Sequence, residues 1–184
     1  MNYNNSQIDS SLPFLYFKRS CPEHPAVKDA ILSTMGDRPK VSIYQENIIK
    51  VSDSDKYTDQ SLIERTYTDS LKYVLRPTVE TFQRKMKFNS WNTVADWCST
   101  YDSDDYDEWS CNNKSSFTLV YYMNVPENGT GIEFDFLDKI YQPLVAEGDV
   151  VIFPSWVWHR VTGDMTGAKT VIYSTFQFST DTII

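Results

Sequence analysis

Histidine is nearly missing from this chain: of 184 residues, only His24 and His159 carry an imidazole. A metal or acid–base site built on several histidines therefore has to use both or do without. Cysteine is sparse as well. Cys21, Cys98 and Cys111 make an odd set with no Cys-x-x-Cys pair, which excludes a zinc-ribbon framework and a disulfide scaffold. Basic residues are outnumbered, 17 Lys and Arg against 25 Asp and Glu, for a net charge of −8. Nucleic-acid binding through counterion release needs the opposite balance, and so does an anionic membrane surface. The first residues, Met1 to Ser11, are polar, and no apolar run approaches a membrane span. The expected setting is a reducing cytoplasm. Also missing are a Gly-x-Ser-x-Gly elbow, a P-loop and a dinucleotide fingerprint.

What is present is enough apolar and aromatic material, 41% and 15%, to fold one domain over residues 1–184. Residues 1–88 read as a helical part. Pro25 to Leu32 follows a turn, and from Thr68 to Lys87 the residues Leu71, Val74, Leu75, Val79, Phe82 and Met86 keep helical spacing. Pro77 falls inside that second segment and predicts a kink or two abutting helices. Residues 89–180 read as strands. Thr118 to Met123, Ile132 to Phe136, Tyr141 to Ala146, Val150 to Phe153, Trp156 to Val161 and Lys169 to Phe178 are rich in β-branched and aromatic residues and are punctuated by turn residues. Short strands at such intervals predict a mainly β (α+β) jelly roll, cupin-like, with helices packed on its outside.

The most informative stretch is Gly148-Asp149-Val150-Val151-Ile152-Phe153-Pro154-Ser155-Trp156-Val157-Trp158-His159. A turn feeds an apolar strand, a proline breaks the ladder, and a second strand brings His159 inward. A lone histidine beside tryptophans also reads as a hydrogen-bonded core residue. The stretch resembles the C-terminal half of the Fe(II)/2-oxoglutarate-dependent oxygenases, in particular small phage and bacterial proteins of that family. The resemblance runs from about Trp91 to Phe178, and more faintly through the N-terminal part. It implies a double-stranded β-helix and, if the chain is phage-encoded, a host cytoplasm. It makes His159 the distal ligand of Fe(II), and Lys169 the group that grips the far carboxylate of 2-oxoglutarate. The family usually has arginine there; lysine offers a point charge without the two-pronged fork. Thr118 to Asn124 is similar to the strand after the first two ligands, in which Tyr122 hydrogen-bonds the co-substrate. Strand parity puts Thr118 and Tyr122 on one face. Tyr122 reads equally as a core aromatic with its hydroxyl satisfied locally.

The first two ligands of that family stand as His-x-Asp or His-x-His, because period two places both on one strand face. The corresponding positions here are Ser110 and Asn112. Hydroxyl and amide oxygens compete poorly with water for Fe(II). Glu108 shares their parity and is a substitute carboxylate; Cys111 has the opposite parity and reads as a buried thiol. The acidic run Asp102, Asp104, Asp105, Asp107 and Glu108 has Asp107 where a calcium loop needs glycine, so it reads as a solvated loop. Two functions follow from the resemblance. One is a homologue whose metal site is degenerate and which binds a ligand or partner without catalysis. The other is an active hydroxylase of a protein side chain or small molecule with a non-standard ligand set.

Overall fold

The computed structural model describes residues 6–34, 40–45, 48–54, 67–103, 105–127, 129–163 and 167–180. Its strands are β1 (Ser6–Ile8), β2 (Phe17–Ser20), β3 (Lys40–Gln45), β4 (Ile48–Ser54), β5 (Ser90–Tyr101), β6 (Phe117–Asn124), β7 (Glu133–Phe136), β8 (Lys139–Tyr141), β9 (Asp149–Pro154), β10 (Trp158–Arg160) and β11 (Lys169–Ser179). Two helices accompany them, α1 (His24–Thr34) and α2 (Tyr67–Met86). Eight strands form one antiparallel sheet in the order β1-β2-β9-β6-β11-β5-β4-β3, and three form a second, β10-β7-β8. This is a double-stranded β-helix with a large and a small sheet.

The long strands bury both faces, which is why they read as nearly continuous apolar runs rather than as clean alternations. In β9, Val151 and Phe153 join an inner aromatic cluster, whereas Val150 and Ile152 join an outer one. In β6 the split is Val120 and Tyr122 inward, Leu119 and Tyr121 outward; in β11 it is Val171 and Tyr173 inward, Ile172 and Phe176 outward. The outer cluster is closed by helices. Ile31 of α1 and Leu71, Val74, Leu75, Val79 and Phe82 of α2 are buried there, while Tyr73 on the opposite face of α2 is 83% exposed. The helical stripe read from the sequence is thus the face that covers the large sheet.

Several expectations need correction. Residues 1–88 are not simply helical: β1, β2, β3 and β4 all lie in that range and all belong to the large sheet. β2 is placed there by pairing with a distant strand, Phe17 opposite Ile152 and Arg19 opposite Val150, and Lys18 reaches Asp149 at 2.7 Å. Its four residues carry too little periodicity to announce this. Pro77 does not split α2, which is one helix from Tyr67 to Met86. The strand expected over Tyr141 to Ala146 is instead the short β8, ending at Tyr141. Pro143, two residues on, has no N–H to give a ladder. β10 spans Trp158–Arg160 alone, since Ser155 to Val157 turns, with the Val157 N–H donating to the Pro154 carbonyl at 3.1 Å. No described helix is long and apolar enough to cross a membrane.

Candidate functional site

β10 carries His159 between the half-exposed Trp158 and the partly buried Arg160. Because side chains alternate along a strand, His159 points inward; it is 4% exposed and lies edge-on to Phe153, 5.0 Å between ring centres. Its Nδ1 is 2.8 Å from the Val157 carbonyl oxygen. A carbonyl only accepts, so the proton sits on Nδ1, and in the neutral ring the Nε2 lone pair faces the barrel.

Ser110 is the direct cross-strand neighbour of His159: each N–H donates to the other's carbonyl, at 3.0 and 2.9 Å. Two residues on, the Asn112 side-chain Nδ2 stands 3.5 Å from His159 Nε2 and donates to Thr118 Oγ1 at 3.1 Å. Thr118 Oγ1 is 2.8 Å from Ser155 Oγ, itself 2.8 Å from Ser115 Oγ. Ser115 Oγ closes the loop by donating to the Asn112 carbonyl. Ser110, Asn112, Thr118 and His159 are therefore brought to one place, and a hydrogen-bonded network of amide and hydroxyl groups lies beside the imidazole.

That network does not fit Fe(II). A facial triad needs an imidazole and a carboxylate beside His159, and here an N–H donor faces its lone pair instead. Among the described residues, no group of three His, Cys, Asp or Glu side chains could hold a metal ion. Glu108 does not substitute. It is exposed, because residues 107–109 form no strand through which period-two parity could carry it inward. Cys111 is only half-buried and turns to Asn113, with Sγ 3.2 Å from Oδ1.

A second polar corner lies along β11. Lys169 is fully buried, opposite Tyr101 of β5 in the ladder, and its Nζ donates to the Thr162 carbonyl at 2.8 Å. The Tyr101 hydroxyl is 3.4 Å from that of Tyr173 and donates to the Asp107 carboxylate. The acidic loop is thus not wholly solvated: Asp107 is half-buried and turned inward, while Asp104 lies outside the described residues. Burial pushes both phenols well above their ordinary pKa, reinforced for Tyr101 by Tyr173 and Asp107 and for Tyr173 by Asp107. Tyr122 is fully buried, and its hydroxyl accepts from the Ile132 N–H at 3.0 Å. That is the local satisfaction of a core aromatic, and burial again raises its pKa. The reading of the sequence missed Tyr101, Tyr173 and Asp107. It also missed Tyr16, whose buried hydroxyl has no hydrogen-bond partner among the described residues. The signal for Tyr101 was its odd-numbered parity with Trp97, both inward-facing on β5.

His24 reaches the large sheet, but through the wrong face for the barrel. Its Nδ1 is 2.7 Å from the hydroxyl of Tyr121, which points away from Tyr122, and its Nε2 is 3.2 Å from Glu147. Gly148, at φ +84°, makes room: a Cβ there would lie 3.0 Å from the His24 ring. Burial alone would raise the Glu147 pKa, but bonds from Lys28, at 2.7 Å, and His24 outweigh it and hold the carboxyl below its ordinary 4.5. A carboxyl depressed in the folded state contributes stability above its unfolded pKa and loses it as pH falls through the folded one. The Glu147→Gln variant is accordingly expected to be less stable than the natural chain at pH 7 and to converge with it as pH falls below the ordinary carboxylate range. Thermal melts from pH 7 to 3 check this; a constant gap across that range would contradict it.

Fold and site together define a double-stranded β-helix that sets the inward-facing His159 beside Ser110, Asn112 and Thr118. No family model and no curated protein matches the chain, but solved structures do. An oxidoreductase of the 2OG-Fe(II) oxygenase family from Burkholderia pseudomallei shares 11% identity, with a TM-score of 0.62 over 86% of this chain and 82% of that one. A Pseudomonas putida prolyl-4-hydroxylase shares 12%, with a TM-score of 0.60 over 90% and 94%. A Trichoplax adhaerens prolyl hydroxylase, solved with a hypoxia-inducible-factor peptide fragment, shares 12%, with a TM-score of 0.58 over 90% and 83%. At these identities the likeness establishes the fold: this chain has the fold of the 2OG-Fe(II) oxygenases.

Proposed function

We propose that the chain is a 2OG-Fe(II) oxygenase homologue that has lost its metal site and acts by binding, not by oxidation. The observation that carries this is the Asn112 amide nitrogen 3.5 Å from His159 Nε2. At that place an oxygenase of this fold would present a carboxylate to a metal shared with the histidine. Ser110, beside it, offers a hydroxyl in place of an imidazole. Among the described residues, a divalent cation entering here would meet the His159 imidazole with a hydroxyl and an amide beside it, and would have to give up waters for weaker donors. Lys169 and Tyr122 remain inside the barrel, so a small molecule or a protein side chain is the expected class of ligand. Nucleic acid and membrane are not, given the net charge of −8.

The test is direct. Purified protein is incubated with Fe(II), ascorbate and 2-oxoglutarate, succinate is measured, and a redox-inert divalent metal is titrated separately. The expected result is no succinate above background and no saturable metal binding. Stoichiometric metal in the purified protein, or turnover abolished by His159→Ala, would establish the opposite reading, an active hydroxylase with another ligand set.

A further inference from the structure

Under the C-terminal half of α2 the large sheet is floored with rings, and Phe17, Phe117 and Phe178 all meet Phe82 there. Toward the N-terminus of the helix the floor changes. The outward side chains of β5 and β11 are now Thr93, Asp96 and Ser174, small and polar, while α2 still presents Leu71, Leu75 and Val79. Leucines set against threonine and serine cannot fill the space between them. A cleft of about 430 Å³ opens between helix and sheet as a result, and Trp91 and Phe176, edge to face with ring centres 5.4 Å apart, complete its wall. That is room enough for a small molecule.

The chemistry of the cleft is two-sided. Its inner wall is aliphatic and aromatic. Lys72 and Arg76 also line it, one helical turn apart on the exposed flank of the apolar stripe. The same two cations line an outer groove with Tyr73, Pro77 and Glu80, so they stand where the apolar space meets the polar one. Among the described residues Arg76 gives Glu80 only its Nε, at 2.8 Å, and its Nη atoms offer the planar fork of donors that suits a carboxylate. The acid inside the cleft, Asp96, accepts the hydroxyl of Ser174, its partner across the ladder.

We propose that this cleft binds a medium-chain fatty carboxylate, with its chain against Leu71, Leu75, Val79 and Phe176 and its head group at Lys72 and Arg76. A hydrocarbon chain answers the apolar wall, against which the hydroxyls of a sugar would go unpaired. A single negative head group answers the two cations at the mouth, which a neutral lipid would not. The cleft lies on the outer face of the large sheet, whereas His159 lies within the barrel, so this binding is independent of what the barrel holds.

Calorimetric titration of the full chain with octanoate tests this, beside acetate, which has only the head group, and octanol, which has only the chain. Octanoate is expected to saturate a single site, acetate to give no saturable binding, and octanol to bind about three- to tenfold more weakly than octanoate. Two variants change exposed positions and so spare the core, with circular dichroism to confirm that each is folded. Thr93→Trp fills the cleft from the sheet side and is expected to abolish octanoate binding. Lys72→Gln/Arg76→Gln is expected to weaken octanoate about three- to tenfold and to leave octanol unchanged. Absence of saturable octanoate binding to the natural chain would overturn the proposal. So would undiminished binding to folded Thr93→Trp, or equal octanoate affinity in the glutamine variant. A ligand inside the barrel would be indifferent to both variants, so failure of the metal-free reading appears in the succinate assay and metal titration and not here.

Discussion

Ser110→His combined with Asn112→Asp is expected to make the chain a divalent-metal protein. The improvement should exceed about 100-fold, since even groups that merely orient metal ligands are worth ~10–100-fold. The scaffold for this is already in place. Ser110 and His159 exchange both backbone hydrogen bonds, so their side chains leave one face of a hydrogen-bonded pair, about 5.5 Å between Cα atoms. Asn112 follows at period two, with its amide 3.5 Å from the imidazole, and an aspartate is nearly isosteric with it. The histidine needs no re-setting: its proton is held on Nδ1 by the Val157 carbonyl, 2.8 Å away, leaving Nε2 to ligate. Co(II) is the informative probe, because its absorption reports coordination by imidazole and carboxylate. Each single substitution is expected to give much weaker binding, since neither alone completes three ligands. A folded double variant that binds no Co(II) would show that Ser110 and Asn112 do not stand where the missing ligands belong.

That prediction uses positions legible in the sequence, and the reasons they were legible are physical. The Pro154 break and the apolar run before it mark β9, and the β-branched and aromatic run after Lys169 marks β11. α2 shows its buried face because six apolar residues, Leu71 to Met86, hold helical spacing over about four turns. Other parts were hidden for equally physical reasons. β2 has four residues and a partner more than a hundred positions away, Phe17 against Ile152, so nothing local encodes it. Parity misplaced Glu108 and overlooked Asp107, because that loop is oriented by a short clip to Val161 and Thr162 rather than by a continuous strand. His24 shows the same limit: its bond to Tyr121 crosses from a helix to a sheet, and only tertiary packing reveals which face it meets.

Phe82→Ala is expected to have the largest effect on stability, a loss of about 3–5 kcal/mol. Phe82 is fully buried in α2 and is the common neighbour of four rings: Phe117 at 5.0 Å, Phe17 at 5.4 Å, Phe178 at 5.6 Å and Phe88 at 6.2 Å. Those rings come from β2, β6, β11 and the turn after α2, so one side chain joins α2 to three strands of the large sheet. Truncation removes its transfer free energy and leaves a cavity that four aromatic side chains in fixed rotamers cannot collapse to fill. For a chain of this size the loss corresponds to a melting temperature lower by about 6–20 °C. Urea unfolding followed by near-ultraviolet circular dichroism, which reports aromatic packing, is the measurement. The outcome also decides how the two halves of the chain depend on each other. β6, β9 and β11 carry the outer cluster on one face and the inner, His159-containing barrel on the other, so a cost of this size makes α2 an integral wall of the site's scaffold. A cost below about 1 kcal/mol would mean that the barrel holds its strands in register without the helix.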